Sequence, residues 1–432
     1  MRKILLGTTA VVGLALAAPA AFAQGIAPGG SGTQGATLTP APAPSIAGAG
    51  GLTVRLGGFY EFSGANISDD NDRATRLGAA HGKARRKNDF RNDMELNVFV
   101  DGRAANGMQY GAVLEMQMDN QTNTGVDFDE MYGFLKGTWG EFRFGQEDSA
   151  ASLISVRAPG AGALGGDAVW DEFISQDGSS AATALFSTPY MTSGINDGND
   201  ATKVIYLSPQ FFGFDVGFSY AANSGEGERV DTQRNRTGVT ATPGGVVDNE
   251  FSVGLRYRGT FGAVGVQGSA AAMWADGPAS TATDQFESIN AYFFGAQMSA
   301  FGVVVGGEYA FGRYNGGSVG RNAVRKGLDD SNHWLAGATY TLGSVVLGAV
   351  YGQATQDNGA NVKDREHTVW GIGALYNLAP GLGLYAAYNQ VKDENIPLSG
   401  GPRATGTTVA TFNGSSTTRD INILMAGIRL AF

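Results

Sequence analysis

Residues 93–101 read Asp-Met-Glu-Leu-Asn-Val-Phe-Val-Asp, and this stretch decides the fold. Met94, Leu96, Val98 and Val100 alternate with Asp93, Glu95, Asn97 and Asp101. Alternation at period two puts one set of side chains on each face of a β-strand. The next run repeats it, with Met108, Tyr110, Ala112, Leu114, Met116 and Met118 against Gln109, Glu115, Gln117 and Asp119. Upstream, Leu52, Val54, Leu56, Tyr60 and Phe62 alternate with Thr53, Arg55, Glu61 and Ser63.

Carried along the chain, the same reading places strands near 52–64, 88–104, 108–119, 126–138, 141–148, 201–208, 214–223 and 249–260. Further strands fall near 263–274, 286–299, 302–314, 332–341, 344–355, 367–378, 382–391 and 421–432. That is about sixteen, each near the length that a tilted strand needs to cross a bilayer. Short turns fall at 105–107, 139–140, 210–213, 261–262, 301–302, 342–343 and 379–381. Long polar segments fall at 65–87, 149–200, 224–248, 275–285, 315–331, 356–366 and 392–420, with a shorter one near 120–125. Short turns on one side and long loops on the other are the asymmetry of a membrane β-barrel. The count is even, so both termini belong on the short-turn side.

Composition agrees. Of 432 residues only 16% are charged, against about 25% in an ordinary soluble chain. The 66 glycines, 24 phenylalanines and 15 tyrosines suit many short strands and tight turns. Cysteine is absent, which excludes a disulfide framework and suits an oxidising compartment. A net charge of −10 argues against nucleic acid as a partner. Beyond the first residues no apolar run is long enough for a membrane helix, so any span is built from strands. The polar strand faces carry too many Asp, Glu, Arg, Asn and Gln to form a core, so the apolar faces are expected to look outward to lipid. Aromatics gather near strand ends, among them Tyr60, Phe62, Phe128, Trp139, Phe211, Phe212, Trp274, Phe301, Trp334, Trp370 and Tyr388, as in interfacial girdles.

The N-terminus reads as an export signal. Arg2 and Lys3 precede an apolar, Ala-rich 4–18, and Ala21-Phe22-Ala23 supplies the small residues of a cleavage site before Gln24. Residues 24–50 are uncharged and rich in Gly, Ala, Pro, Ser and Thr, which reads as a low-complexity periplasmic leader. The barrel is then 51–432.

At the other end, Asn422, Leu424, Ala426, Ile428, Leu430 and Phe432 share one face, with Arg429 on the other. A strand that ends the chain on Phe resembles the C-terminal assembly signal of Gram-negative outer-membrane proteins. The segment Gly133-Phe134-Leu135-Lys136-Gly137-Thr138-Trp139-Gly140-Glu141-Phe142-Arg143-Phe144-Gly145-Gln146 resembles the strand–turn–strand signature of general porins, their alphaproteobacterial branch most closely. The leader departs from that pattern. The resemblance implies a water-filled channel for ions and small hydrophilic solutes, a homotrimer, and contact with outer-membrane lipid, lipopolysaccharide and the barrel-assembly machinery.

It also implies that loop 149–200 folds into the barrel and narrows it. This loop carries Asp167, Asp171, Glu172 and Asp177, with Trp170 and Phe173 as packing anchors. General porins set a basic wall opposite such a loop, and Arg55, Arg91, Arg103 and Arg143 are the candidates on inward faces. Gly57-Gly58 weakens the assignment of Arg55, because glycines permit a bulge. Acid facing base would create a transverse field, and the acidic loop with the negative total suggests weak cation preference.

Three other readings compete. A substrate-specific channel for sugars or other nutrients would add a lumenal ladder of aromatics, and few are found on the inward faces. A structural or adhesive barrel would need no open lumen. An enzyme would need a catalytic constellation, yet His81, His333 and His367 show no triad spacing and no metal-site pattern. No cofactor, catalytic residue or metal set is expected. Asp69-Asp70-Asn71-Asp72 and Asp329-Asp330 offer oxygens to loop-bound Ca²⁺, but without the spaced glycine of a dedicated site, so solvated charge or cation-bridged lipopolysaccharide is the favoured reading.

Overall fold

The computed structural model describes residues 45–47, 51–70, 86–117, 127–160, 163–164, 170, 173, 201–223, 248–277, 286–314, 327, 330–357, 363–397, 404–405, 408–409 and 416–432. The barrel strands are β1 Thr53–Asp69, β2 Asn88–Arg103, β3 Gln109–Gln117, β4 Asp127–Gly137, β5 Gly140–Gln146, β6 Thr202–Leu207, β7 Phe214–Asn223 and β8 Asp248–Phe261. They continue as β9 Val264–Asp276, β10 Ile289–Ala300, β11 Val303–Arg313, β12 Ser331–Leu342, β13 Val345–Gln356, β14 Arg365–Ala379, β15 Leu382–Pro397 and β16 Ser416–Ala431. Each pairs antiparallel with its neighbours in chain order, and β16 pairs with β1, so the sheet closes on itself. In a closed sixteen-stranded barrel every strand has two neighbours, and the ladder satisfies the spanning backbone within the sheet.

The faces are inverted relative to a soluble protein. In β8, Phe251 and Leu255 are exposed on the outside while Glu250 and Ser252 are buried on the inside. Lipid rather than protein covers the apolar face. At the short-turn end, Phe301 and Gly302 connect Ala300 to Val303 with φ of 52° and 82°, the pattern of a type I′ turn. Phe301 is 86% exposed, which sets an aromatic ring outward at the level of the interface.

Some boundaries move. β1 runs to Asp69 rather than 64, β15 to Pro397 rather than 391, and β16 starts at Ser416 rather than 421. At these ends the outward residues turn polar, as Asn66 and Ser68 in β1, Lys392 and Glu394 in β15 and Thr418 and Asp420 in β16. The lipid-facing alternation stops there, but the hydrogen-bond ladder does not. Ser45–Ala47 forms a short strand antiparallel to Thr53–Arg55, on the edge of β1 that β16 leaves open. An unpaired strand edge is a template for whatever chain lies beside it.

Two contacts close the seam. Gly58 N–H donates to the Phe432 carbonyl (3.0 Å) and Phe432 N–H donates to the Gly58 carbonyl (3.1 Å). Towards the long-loop end, Arg419 grips Asp69 with two bonds, Nε to Oδ1 at 2.8 Å and Nη2 to Oδ2 at 2.5 Å, and both side chains are buried. A buried carboxylate–guanidinium pair that loses one partner strands the other charge. Asp69→Ala is therefore expected to lower barrel stability by about 3–5 kcal/mol, and Asp69→Ala with Arg419→Met by clearly less. Urea unfolding followed by tryptophan fluorescence checks this; equal losses in the single and double variants would sink it.

Candidate functional site

The segment after β5 turns into the barrel. Its first element is α1, Ala150–Ile154, capped by Ser149, whose side chain accepts from Ser152 N–H at 3.3 Å. A helix leaves its first N–H groups without internal partners. Here the barrel wall supplies them. Ala150 N–H donates to Ser219 Oγ (3.1 Å) and Ala151 N–H to Ser252 Oγ (3.2 Å), the two hydroxyls being 2.7 Å apart. Ser219 and Ser252 are on the buried, inward faces of β7 and β8, so the helix is inside the barrel. At its other end Arg256 donates to the Leu153 carbonyl (3.4 Å), a cation where the helix end is partly negative.

From there the chain tracks the inner wall. Val156 N–H donates to Ser269 Oγ on β9 (2.7 Å), Gln297 on β10 donates to the Arg157 carbonyl (2.6 Å), and Ala158 N–H donates to Glu308 Oε2 on β11 (2.5 Å). Asn389 on β15 reaches the Ala163 carbonyl at 3.4 Å. Inward glycines make room. A Cβ at Gly295 would overlap the Val156 carbonyl, and one at Gly337 the Pro159 carbonyl. Gly217 and Gly254 accommodate Ile154, and Gly371 accommodates Leu164. Glycine inside a strand marks such a close approach.

The wall beneath the later part of the loop is apolar. Ala158, Ala163, Leu164, Trp170 and Phe173 pack with Leu335, Val350, Val369, Val391, Ile423 and Ile67, all buried. The expectation of a polar inward face is thus corrected for the β12–β16 and β1 side. A loop laid on the wall excludes water there, and the wall responds with apolar side chains. Trp170 and Phe173 do anchor the loop.

The charged residues are arranged differently from the expected pattern. Asp167, Asp171, Glu172 and Asp177 lie outside the described residues. The four arginines face inward, and the β1–β2 register is continuous through Gly57-Gly58, which keeps Arg55 on that face. They are not brought into one cluster. Arg55 pairs with Asp101 (2.9 Å) and lies over the Phe99 ring near the short-turn end. Arg103 is exposed beside the Gly107 carbonyl in the first short turn. Arg91 pairs with Asp93 (3.0 Å) towards the long-loop end of β2. Arg143 pairs with Glu141 (2.8 Å) and Glu147 (2.5 Å) at the root of the loop. Burial pushes the Glu147 carboxyl above its ordinary value, against the pull of Arg143.

Sequence reasoning missed the residues that seat the loop, namely the inward serines, Gln297, Glu308 and the inward glycines. Their only signal was small residues at inward positions. It also missed Arg256 and Arg258, which share Asp215 at 2.6 and 3.2 Å. Two of the three histidines are buried rather than solvated. His333 is buried with Nδ1 3.1 Å from the Tyr314 hydroxyl, and His367 is buried 3.0 Å from Asp393, which Arg365 also holds. His81, Asn71, Asp72 and Asp329 lie outside the described residues; Asp70 accepts from Asp420 N–H (3.1 Å) and Asp330 lies 3.8 Å from Arg313.

No curated protein matches the chain in sequence. Among solved structures it is similar to an anion-selective porin of Comamonas acidovorans, at TM-score 0.54 and 17% identity over 88% of this chain and 100% of that one. The outer membrane channel DcaP of Acinetobacter baumannii gives TM-score 0.54 and 14% identity over 90% and 99%. A loop-deletion variant of OmpT of Vibrio cholerae gives 0.52 and 12% over 88% and 99%. At such identities these likenesses establish the fold. A family model described as Gram-negative porin matches residues 7–396. With the closed barrel and the inward loop already in place, that match over most of the chain makes this protein a member of the Gram-negative porin family.

Proposed function

We propose that this outer-membrane porin is a passive diffusion channel for ions and small hydrophilic solutes, narrowed by loop 149–200 and weakly selective for cations. The observation that carries the reading is the course of residues 150–160, 163 and 164 along the inner wall, seated by Ser219, Ser252, Ser269, Gln297, Glu308 and Asn389. A segment so fastened takes up lumen cross-section at a fixed place, which is what a size-limiting constriction requires. The cation preference rests on Asp167, Asp171, Glu172 and Asp177 and on the net charge of −10. The anion selectivity of the Comamonas acidovorans porin belongs to that protein.

The reading extends to the protein's route and company. Residues 1–23 are removed on export, 24–50 remain as a leader, and the strand ending on Phe432 engages the barrel-assembly machinery. The mature chain forms a homotrimer among lipid and lipopolysaccharide. It acts as a channel rather than as an enzyme, and the substrate-specific channel is the second reading.

Two measurements test it. In planar bilayers under a KCl gradient, the reversal potential is expected to show K⁺ crossing more readily than Cl⁻; preference for Cl⁻ would refute the cation part, and absence of conductance the whole. The chain has no cysteine, so a single introduced one reports without background. Ala158→Cys should react with maleimide more than about tenfold slower than Phe301→Cys, as for any group reached only by local opening. Adding Gly295→Leu should lift the loop, speed that labelling and alter conductance. Equal labelling at Ala158 and Phe301 in the unaltered barrel would remove the seated loop from the account.

A further inference from the structure

The inner wall opposite the seated loop holds a group of carboxylates that the channel reading does not use. Glu95 on β2, Glu115 on β3 and Asp129 on β4 each bring one carboxylate oxygen within 4.8 Å of the others. Register explains the meeting. Glu115 stands opposite Asn97, and a bulge in the β3–β4 pairing falls between Leu114 and Met116, turning Asp129 towards it. Bulges commonly re-aim a side chain in this way.

Glu95 and Glu115 are completely buried. Apart from each other's carboxyl, both oxygens of Glu115 and Oε2 of Glu95 have no hydrogen-bond partner, and neither does the buried Asn97 Oδ1. Two neutral amides are among the groups that orient the outer oxygens. Asn97 Nδ2 donates to Glu95 Oε1 (3.0 Å) and Gln117 Nε2 to Asp129 Oδ2 (2.8 Å). Arg143, on the same side of the barrel, is held by Glu141 and Glu147. Buried carboxylates so close together need a cation or a proton between them.

We propose that Glu95, Glu115 and Asp129 bind one hard divalent cation, Ca²⁺ in preference to Mg²⁺, on the lumen wall. All the donors are oxygens, the set that hard cations take. Oxygens bound to one Ca²⁺ at about 2.3–2.6 Å lie no more than about 5 Å apart, and the three here lie within 4.8 Å of one another. Mg²⁺ keeps several of its waters, for which the fully buried Glu95 and Glu115 leave little room, so Ca²⁺ is favoured. The amides of Asn97 and Gln117 act as the outer hydrogen bonds that fix ligand orientation in metal sites. The ion ties β2, β3 and β4 together across the wall that faces the loop. This assignment does not rest on the conduction reading, so it is read by binding.

Full-length protein, folded in detergent and stripped with chelator, is dialysed against radioactive Ca²⁺ beside Glu115→Gln and Asp129→Asn, with folding verified by heat-modifiable gel mobility. The native chain should hold about one more Ca²⁺ than Glu115→Gln, as loss of one site requires. Asp129→Asn should weaken that increment, and Ca²⁺ should raise the unfolding temperature of the native chain only. Loop-bound ions at Asp69-Asp70 or Asp330 cancel in the difference. Equal Ca²⁺ in the native chain and both variants overturns the proposal. So does an infrared band of protonated carboxyl that persists in Ca²⁺ and vanishes in Glu115→Gln, since a shared proton then fills the place of the ion.

Discussion

Gly58 and Phe432 exchange a pair of backbone hydrogen bonds, and the barrel exists because that last pair can form. Inside a bilayer an unpaired N–H or carbonyl costs several kcal/mol, so an almost closed sheet is not an available structure. Closure forces the rest. Strand number must be even if the ends are to meet on one side, turns on that side must be tight, and the outer face must be apolar along its length. On the other side of β1 the approach to β2 is close enough that a Cβ on Gly58 would overlap the Glu95 carbonyl. The short leader strand at Ser45–Ala47 follows from the same constraint, because β16 ends before β1 does.

A barrel of this circumference has an interior too wide for its own side chains to fill. The loop after β5 resolves this unevenly. Where its chain lies against β7 to β11, the wall offers hydroxyls, an amide and a carboxylate to its backbone groups. Where its Leu164, Trp170 and Phe173 arrive at β12 to β16, the wall is as apolar as a soluble core. The charged groups on that dry side come as matched sets, Arg419 with Asp69, and Arg365 and His367 with Asp393. A charge without its partner would not be tolerated there.

The barrel was legible in the sequence because each strand carries its own two-sided pattern, as in 93–101, and because turns such as Phe301-Gly302 need residues that mark themselves. The extensions of β1, β15 and β16 were not legible, since their outward faces turn polar and only the ladder persists. The inward face was half legible. Ile421, Ile423 and Met425 are apolar on the side expected to be polar, and nothing in β16 alone says that a distant loop covers them. The seat of the loop was least legible. Gly295, Gly337 and Ser269 look like ordinary small strand residues until the chain they receive is in place, and the contacts join residues more than a hundred positions apart.

Arrangement also changes what the charges mean. The resemblance to general porins implied a basic wall facing an acidic loop. Among the described residues the opposite bias is visible. Around β5, Arg143 and Lys136 meet Glu141 and Glu147, while Glu95, Glu115 and Asp129 add carboxylates on β2 to β4. Beside α1, by contrast, two guanidiniums, Arg256 and Arg258, share the single carboxylate of Asp215. A field set by these groups points from the side of the seated helix towards the β2–β5 wall. Field direction in a lumen depends on the residual charge after pairing, not on the number of arginines in view. Arg55 and Arg143 are largely spent on their own carboxylates. Under the channel reading proposed above, what acts on a passing ion is then the unbalanced sets, Arg256 and Arg258 with Asp215 on one side and Glu95, Glu115 and Asp129 on the other, and an ion held by those carboxylates would weaken the field.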